Sequence, residues 1–260
     1  MKIAILLKQV PVKDATLKID GNGTWIDESD LQFEINESDH FGLEEALRLK
    51  EKHGGEVVVV TMGPERVREA IKQALAKGAD RAIYINDSEV STPDPQVHAR
   101  ILAAALKDEG FDLILSGLQS DDYGYGQTGV LVAAELGMAH ATLVMETDVQ
   151  DGKIKVKREL ESGWFQYVEL PLPAVLTIQS GLNQIRYATI KGIMAAKRKE
   201  IREVSPTELG IDAAELQGGA FALEKIYVPQ KTKETAVLEG DAKEIVSALV
   251  DKLKNEAKVL

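Results

Sequence analysis

The sequence predicts an α/β fold in three layers, a parallel sheet with helices on both of its faces. Two observations carry that prediction. Short, wholly apolar runs recur in the first half of the chain, the clearest being 56–62 with four consecutive valines; they are too short for helices and lack a helical period, as strands buried on both faces do. Between them lie amphipathic stretches of helical length at 41–52, 65–77 and 97–108. Strands that alternate with helices at this spacing form βαβ units.

The elements follow in order. Residues 3–7 open the chain as a buried strand, and 56–62, 81–86 and 112–116 have the same character. Pro64 stands where a helix can begin without losing a hydrogen bond, and Gly78 ends that helix. A further apolar helix is expected from near Val130. After about residue 142 the pattern changes: 143–150 and 153–160 flank Asp151-Gly152, a two-residue hairpin signal. The runs 166–170 and 174–178 are separate segments, since Pro171 and Pro173 interrupt any ladder between them. From 182 to 202 the chain turns basic, and 203–240 is rich in turn formers without a sustained period. The last stretch, 241–258, reads as an amphipathic helix with Ile245, Ala248, Leu249 and Leu253 on one face. The division expected is an α/β domain over 1–202, hairpin included, and an extended C-terminal arm over 203–260. The arm has no core of its own and would wrap around something else.

Composition excludes several functions. In 260 residues, 31 Lys and Arg face 42 Asp and Glu, a net charge of −11, which disfavours a nucleic-acid binder. Cysteine is absent, so this chain offers no disulfide, thiolate metal site, cysteine nucleophile or iron–sulfur ligand. The four histidines, His40, His53, His98 and His140, show no HExxH spacing. No run of 18 apolar residues occurs, so neither a membrane span nor a cleaved signal peptide is expected, and the chain reads as cytoplasmic.

Chemistry is sought at the carboxyl ends of the parallel strands, where open α/β sheets bind ligands. Four ends are unusual: 7–9, 61–64, 86–87 and 116–122. The last runs through Tyr123-Gly124-Tyr125-Gly126 into Gln127-Thr128-Gly129 and an apolar helix. Gly124 and Gly126 let backbone approach a ligand, and a helix start favours an anion. A turn with a threonine cap would leave the same pattern, and the segment matches neither the P-loop nor GxGxxG. Asp121 and Asp122 suit magnesium, a ribose, or merely an exposed acidic loop. Asn36 reads as a turn former before a helix starting near Phe41, with Ser38 or Asp39 as its N-cap and His40 as a polar helix-start residue. The basic stretch with Arg186, Lys191, Lys197, Arg198, Lys199 and Arg202 leaves three readings: a solvated face, a nucleic-acid contact with only Tyr187 to stack, or a docking surface in which Ile190, Ile193 and Met194 meet an acidic protein. No hydrolytic triad, zinc motif or carboxylate pair stands out.

Several segments together resemble the beta subunit of the electron transfer flavoproteins. They are Lys8-Gln9-Val10-Pro11, Asn36 with the helix 43–50, Gly63-Pro64, 76–81, and the loop from Gly117 through Gly129. The most specific is 156–163, followed by Gln166-Tyr167-Val168 and 173–177. Ser162 departs from it, standing where that family usually has glycine or an acid. Arg186-Tyr187-Ala188-Thr189-Ile190 resembles the family's partner-recognition loop. The match spans nearly the whole chain.

The resemblance implies a Rossmann-like fold and an electron carrier rather than an enzyme. It implies a heterodimer whose alpha subunit holds most of the FAD, and which takes electrons from acyl-CoA or other flavin dehydrogenases to a membrane quinone oxidoreductase or another acceptor. The C-terminal arm would pack on the alpha subunit. In many members the beta subunit binds a structural AMP, and the matching contacts fall on Leu6, Asn36, Glu37, Ser38, Asp39, Met62, Gly117, Gln119, Asp122, Gly126, Gln127 and Thr128. Arg186, Tyr187, Ile190, Ile193, Met194 and Lys197 would meet the partner, and Glu159 an arginine of the mobile alpha flavin domain. Electron-bifurcating members instead hold a second FAD that exchanges hydride with NADH, and tend to carry valine after the glutamine and proline after the next glycine. Here Thr128 follows Gln127 and Val130 follows Gly129, which favours AMP. A nucleotide-binding regulatory or ATP-cleaving protein of the same fold is the remaining alternative.

Overall fold

The computed structural model describes residues 1–220, 222–230 and 235–260. Two compact units divide it, Met1–Lys225 and Ile226–Leu260.

In the first unit β1 (Lys2–Leu6) leads through a small antiparallel pair, β2 (Gln9–Pro11) and β3 (Phe33–Ile35), into α1 (Glu37–His53). There follow β4 (Glu56–Gly63), a 3-10 turn at Glu65–Val67, α2 (Arg68–Lys77), β5 (Arg81–Asn86), α3 (Pro95–Leu106), β6 (Leu113–Gly117) and α4 (Thr128–Leu136). Then come β7 (Ala139–Gln150), β8 (Lys153–Glu159), β9 (Phe165–Pro171), β10 (Ala174–Ile178), α5 (Ile190–Ala196), β11 (Ile201–Val204) and α6 (Ala213–Gln217). The nine-stranded sheet has the order β11-β5-β4-β1-β6-β10-β7-β8-β9. It is parallel from β11 to β7 and antiparallel from β7 to β9. This is the three-layer, Rossmann-like α/β architecture the sequence predicts.

Alternation along the buried strands builds both layers of core. Val57 and Val59 join Ile3 and Ile5 beneath α1 and α2, where Leu43, Leu47, Ile71 and Leu75 pack. Val58 and Val60 join Ala4 and Leu6 on the other face, beneath Ile101 and Leu102 of α3 and Val132 of α4. All four valines are fully buried, so a run that reads as continuously apolar serves two cores at once. Asp151-Gly152 is the two-residue turn of the β7–β8 hairpin, with Gln150 opposite Lys153 and Gly152 at φ 71°.

Three expectations change. The domain boundary expected after Arg202 falls inside β11, which pairs in parallel with β5; the first unit continues to Lys225, with Leu216 of α6 buried in the second core. A four-residue edge strand containing Arg202 and Glu203 has too little apolar content to announce itself. Secondly, α1 begins at Glu37 rather than near Phe41, so Ser38 and Asp39 lie inside the helix and Asn36 is the N-cap residue. Thirdly, β7 starts four residues earlier than expected: its first part pairs with β10, and the register shifts beyond Leu143 (φ 58°) as it takes up β8.

The second unit contains α7 (Ala242–Asp251), which runs on into a π-helical turn at Lys252–Glu256. Asp241 and Glu244 form a capping box at its start. None of its residues is buried, and Val246, Leu249 and Val250 are exposed.

Candidate functional site

The chain runs outward from β1 through α1 to β4 and through α2 to β5, and α3 then carries it back to β6 on the other side of β1. The carboxyl ends of β1 and β6 therefore flank a topological switch point, where the connections diverge and leave a crevice. A cavity of about 270 Å³ opens there, lined by the ends of β1, β4 and β6, the starts of α1, α3 and α4, and the loop between β6 and α4.

The starts of α1 and α4 differ. The Asp39 carboxylate, in the first turn of α1, accepts from the Lys8 amide at 2.7 Å and from the Gly117 amide at 2.8 Å. It thus ties the exits of β1 and β6 together. Burial pushes Asp39 up to about 7 against the pull of those two amides and of the Lys8 cation. A Cβ on Gly117 would lie 2.2 Å from both Asp39 Oδ1 and Ser38 Oγ, so only glycine fits under the clamp. Asn36 does not cap its helix. Its Nδ2 donates to Gln119 O at 2.9 Å and its Oδ1 accepts from the Asp121 amide at 2.9 Å, bracing the β6–α4 loop.

At α4 the N-cap residue Gln127 makes no side-chain cap, the first turn holds no acid, and the first intrahelical bond is Leu131 N to Gln127 O. The amides of Thr128, Gly129 and Val130 thus lack helical acceptors. Beside them Ser116 Oγ, which lines the cavity, is buried without a hydrogen-bond partner. Gly129 lets the helix start press onto the sheet, for a Cβ there would meet Ser116 Oγ at 2.4 Å. Three free amides and an orphaned hydroxyl form a donor set suited to a phosphate.

The mouth is aromatic and charged. Tyr123 lies between Trp25 (centroids 5.4 Å) and Tyr125 (5.2 Å, stacked), with Lys8 Nζ 4.4 Å over its ring. Lys8 also pairs with Asp122 at 2.7 Å. Burial lowers the Lys8 pKa, whereas Asp122 stays below its ordinary value because its burial is outweighed by Lys8 together with hydrogen bonds from Ser120 and the Tyr123 amide. Arg66 holds the 12–32 loop over this mouth, pairing with Glu28 at 3.1 Å and lying 3.8 Å over the Phe33 ring.

Of the twelve nucleotide-contact residues expected, Leu6, Asn36, Asp39, Met62, Gly117, Gln119, Asp122, Gly126, Gln127 and Thr128 line this one cavity. Ser38 lies behind Gly117 and donates to Gln119 O at 3.0 Å, and Glu37 pairs with Lys13. Sequence reasoning missed Lys8, Trp25, Arg66, His98 and Ser116 as lining residues. Lys8 and Ser116 stood at strand ends already singled out; Trp25, Arg66 and His98 gave no local signal.

The expected partner residues separate into two groups. Tyr187, Ile190, Ile193 and Met194 are exposed, Ile190 at 84%, and Lys197 at the end of α5 is exposed beside them. α5 rests on α2 at Gly192, where a Cβ would meet Ala76 O at 2.2 Å. Arg186 is held inward instead, its guanidinium 2.8 Å from buried Glu44 and also paired with Glu51, contacts that raise its pKa. Glu159, at the end of β8, accepts from Gln179 Nε2 at 3.1 Å. Ser162, in the neighbouring turn, sits at φ 58° and ψ 29°, a left-handed conformation that glycine adopts at no steric cost.

The electron transfer flavoprotein domain family matches residues 23–209. The chain is 39% identical to the electron transfer flavoprotein subunit beta of Methylophilus methylotrophus, over 96% of this chain and 97% of that one. It is 36% identical to the same subunit of Bradyrhizobium diazoefficiens over the full length of both, and 33% identical to that of Bacillus subtilis over 90% of this chain and 91% of that one. The chain belongs to the electron transfer flavoprotein beta-subunit family. Of the residues behind the resemblance, Lys8, Gln9, Asn36, Gly63, Pro64 and most of the Gly117–Gly129 loop line the cavity. Among the described residues no helix is long and apolar enough to cross a membrane, and no acidic or histidine cluster could hold a metal ion.

Proposed function

We propose that this chain is the positioning half of a two-subunit electron carrier and holds one AMP at the switch point of its sheet. The observation that carries the reading is the uncapped start of α4 beside the orphaned Ser116 hydroxyl, a donor set without an internal acceptor. The phosphate would take the amides of Thr128 and Gly129 with the Thr128 hydroxyl, while Asn36 and Asp39 fix the loops around it. A cavity of about 270 Å³ lies just below the roughly 300–1,000 Å³ typical of small-molecule pockets, which suits a mononucleotide better than a dinucleotide. The FAD belongs to the alpha subunit and supplies the redox chemistry when bound; this chain's residues position and dock.

The exposed patch of Tyr187, Ile190, Ile193 and Met194 would catch the electron-donating dehydrogenase, with Lys197 steering the encounter. Electrons would leave for a quinone oxidoreductase or another acceptor. Glu159 would face the mobile flavin domain. The uncovered apolar side chains of α7 would pack on the alpha subunit, which accounts for a helix with no core of its own. In Ile190→Ala, electron transfer from the dehydrogenase should weaken by about 2 kcal/mol, the scale of a buried anchor, with the FAD content intact. Unchanged steady-state kinetics with the dehydrogenase would remove Ile190 from that role.

The overall test is co-purification of the heterodimer and analysis of its released nucleotides. One FAD and one AMP per heterodimer are expected. Two FAD with NADH oxidation would mark a bifurcating protein, and a colourless single chain that cleaves ATP would overturn the carrier reading.

A further inference from the structure

His98 is a polar side chain of the cavity for which the phosphate-binding argument has no use. It lies in α3 between Val97 and Ala99, both buried in the second core, and it lines the cavity with Leu6, Met62, Pro93, Pro95 and Leu102. Its Nε2 stands 2.9 Å from the carbonyl oxygen of Thr92. A carbonyl only accepts, so Nε2 carries the hydrogen, and in the neutral ring Nδ1 is left as a bare acceptor. Among the described residues no donor reaches Nδ1, and the atom is not one of those sealed in the core without a partner. It therefore opens on the cavity that the ring lines. Burial and the Lys8 charge hold His98 below its ordinary pKa, which keeps the ring neutral at physiological pH.

Whatever meets Nδ1 must donate a hydrogen. Leu6, Met62, Pro93, Pro95 and Leu102, which line the cavity with it, would strip water from sugar hydroxyls without replacing it, whereas they match the faces of a purine ring. An adenine presents an exocyclic amine, a donor, where hypoxanthine and guanine present a carbonyl oxygen, an acceptor. We infer that His98 selects the base in this cavity: its Nδ1 accepts from the exocyclic amine of an adenine, so the site admits adenylates and rejects inosinate and guanylate. The inference rests on the reading of the cavity as a nucleotide site. It adds to that reading a fixed tautomer that a phosphate site alone has no need of.

The experiment compares AMP and IMP binding, by calorimetric titration, to the nucleotide-stripped heterodimer and to its His98→Leu and His98→Asn forms. The wild type should prefer AMP by about 10- to 100-fold, because IMP would oppose two acceptors at a desolvated site. In His98→Leu, AMP should weaken about tenfold while IMP changes little. In His98→Asn, whose amide can turn to offer either group, both should bind within about threefold of each other. Should the leucine form fail to fold, the asparagine form decides alone. A wild type that binds both equally, or folded variants that keep the preference, would overturn the role of His98 and leave the nucleotide site standing. A wild type that takes up neither would overturn the nucleotide reading itself.

Discussion

The first turn of α1 carries Glu37 and Asp39, and α3 is capped by Asp94, which accepts from the Gln96 amide at 2.8 Å. The first turn of α4 carries no acid and no side-chain cap, although all three helices start around the same cavity. A cap is worth about 1 kcal/mol, so leaving it off α4 costs stability unless a bound anion supplies the acceptor. Asp39 shows the other use of a helix start. Its carboxylate also gathers the Lys8 and Gly117 amides from two strand exits and holds the crevice in shape. One helix start builds the pocket, and the other leaves its first amides without a helical or side-chain acceptor, as a bound anion would require.

Removing the clamp should have the largest effect on stability. Asp39→Ala leaves two part-buried amides without their acceptor, at about 1–3 kcal/mol each, so the complex should lose about 3 kcal/mol in urea unfolding and give up its nucleotide as well. A loss under about 1 kcal/mol would mean that Lys8 and Gly117 find other acceptors, and that Asp39 does not hold the two exits together.

The reciprocal change tests the open end. Thr128→Asp gives α4 the kind of acid that α1 already has, and places a negative charge where the phosphate is expected. Bound AMP, measured by chromatography of the released nucleotide, should fall more than about tenfold through charge repulsion. Stability without nucleotide should hold or rise by about 0.5 kcal/mol. Full nucleotide retention would place the anion elsewhere in the cavity.

How much of this comparison was legible beforehand depends on how far apart its parts lie in the chain. The four valines, the Gly78 boundary and the Asp151-Gly152 turn are local signals, and each appears where the sequence puts it, whereas Pro64 opens a 3-10 turn and α2 begins only at Arg68. The Gly117–Gly129 loop stood out from its own residues at a strand end, although a turn with a threonine cap would leave the same pattern. The Asp39 clamp did not stand out, because its partners are amides at positions 8 and 117, brought together only by the strand order. The same holds for β11, whose partner β5 lies more than a hundred residues earlier, and for Arg186, whose buried partner Glu44 sits on α1. His98 gave no signal in the sequence beyond its lack of metal-binding spacing, and its tautomer is fixed by the Thr92 carbonyl.

The smallest effect should appear in the pH dependence of the α1 start, where two neighbours titrate in opposite senses. Burial places Asp39 at about 7 in the folded chain, against about 3.9 unfolded. The folded state therefore binds more protons between those values, and stability falls as pH rises through them. Burial and the Lys77 charge, 3.2 Å away, place His40 at about 4, against about 6.5 unfolded. There the unfolded state binds more protons, so stability rises with pH from about 4 to 6.5. The two slopes oppose each other in the wild type. His40→Gln removes one, and the variant should lose stability relative to the wild type as pH climbs from 4 to 6.5, exposing the Asp39 slope. Parallel curves for the two proteins, from urea midpoints across that range, would show that His40 does not titrate below its ordinary range. The start of α4 has no titrating group in its first turn, so Thr128→Ala should leave the shape of the pH curve unchanged, and that contrast makes the assignment to α1 specific.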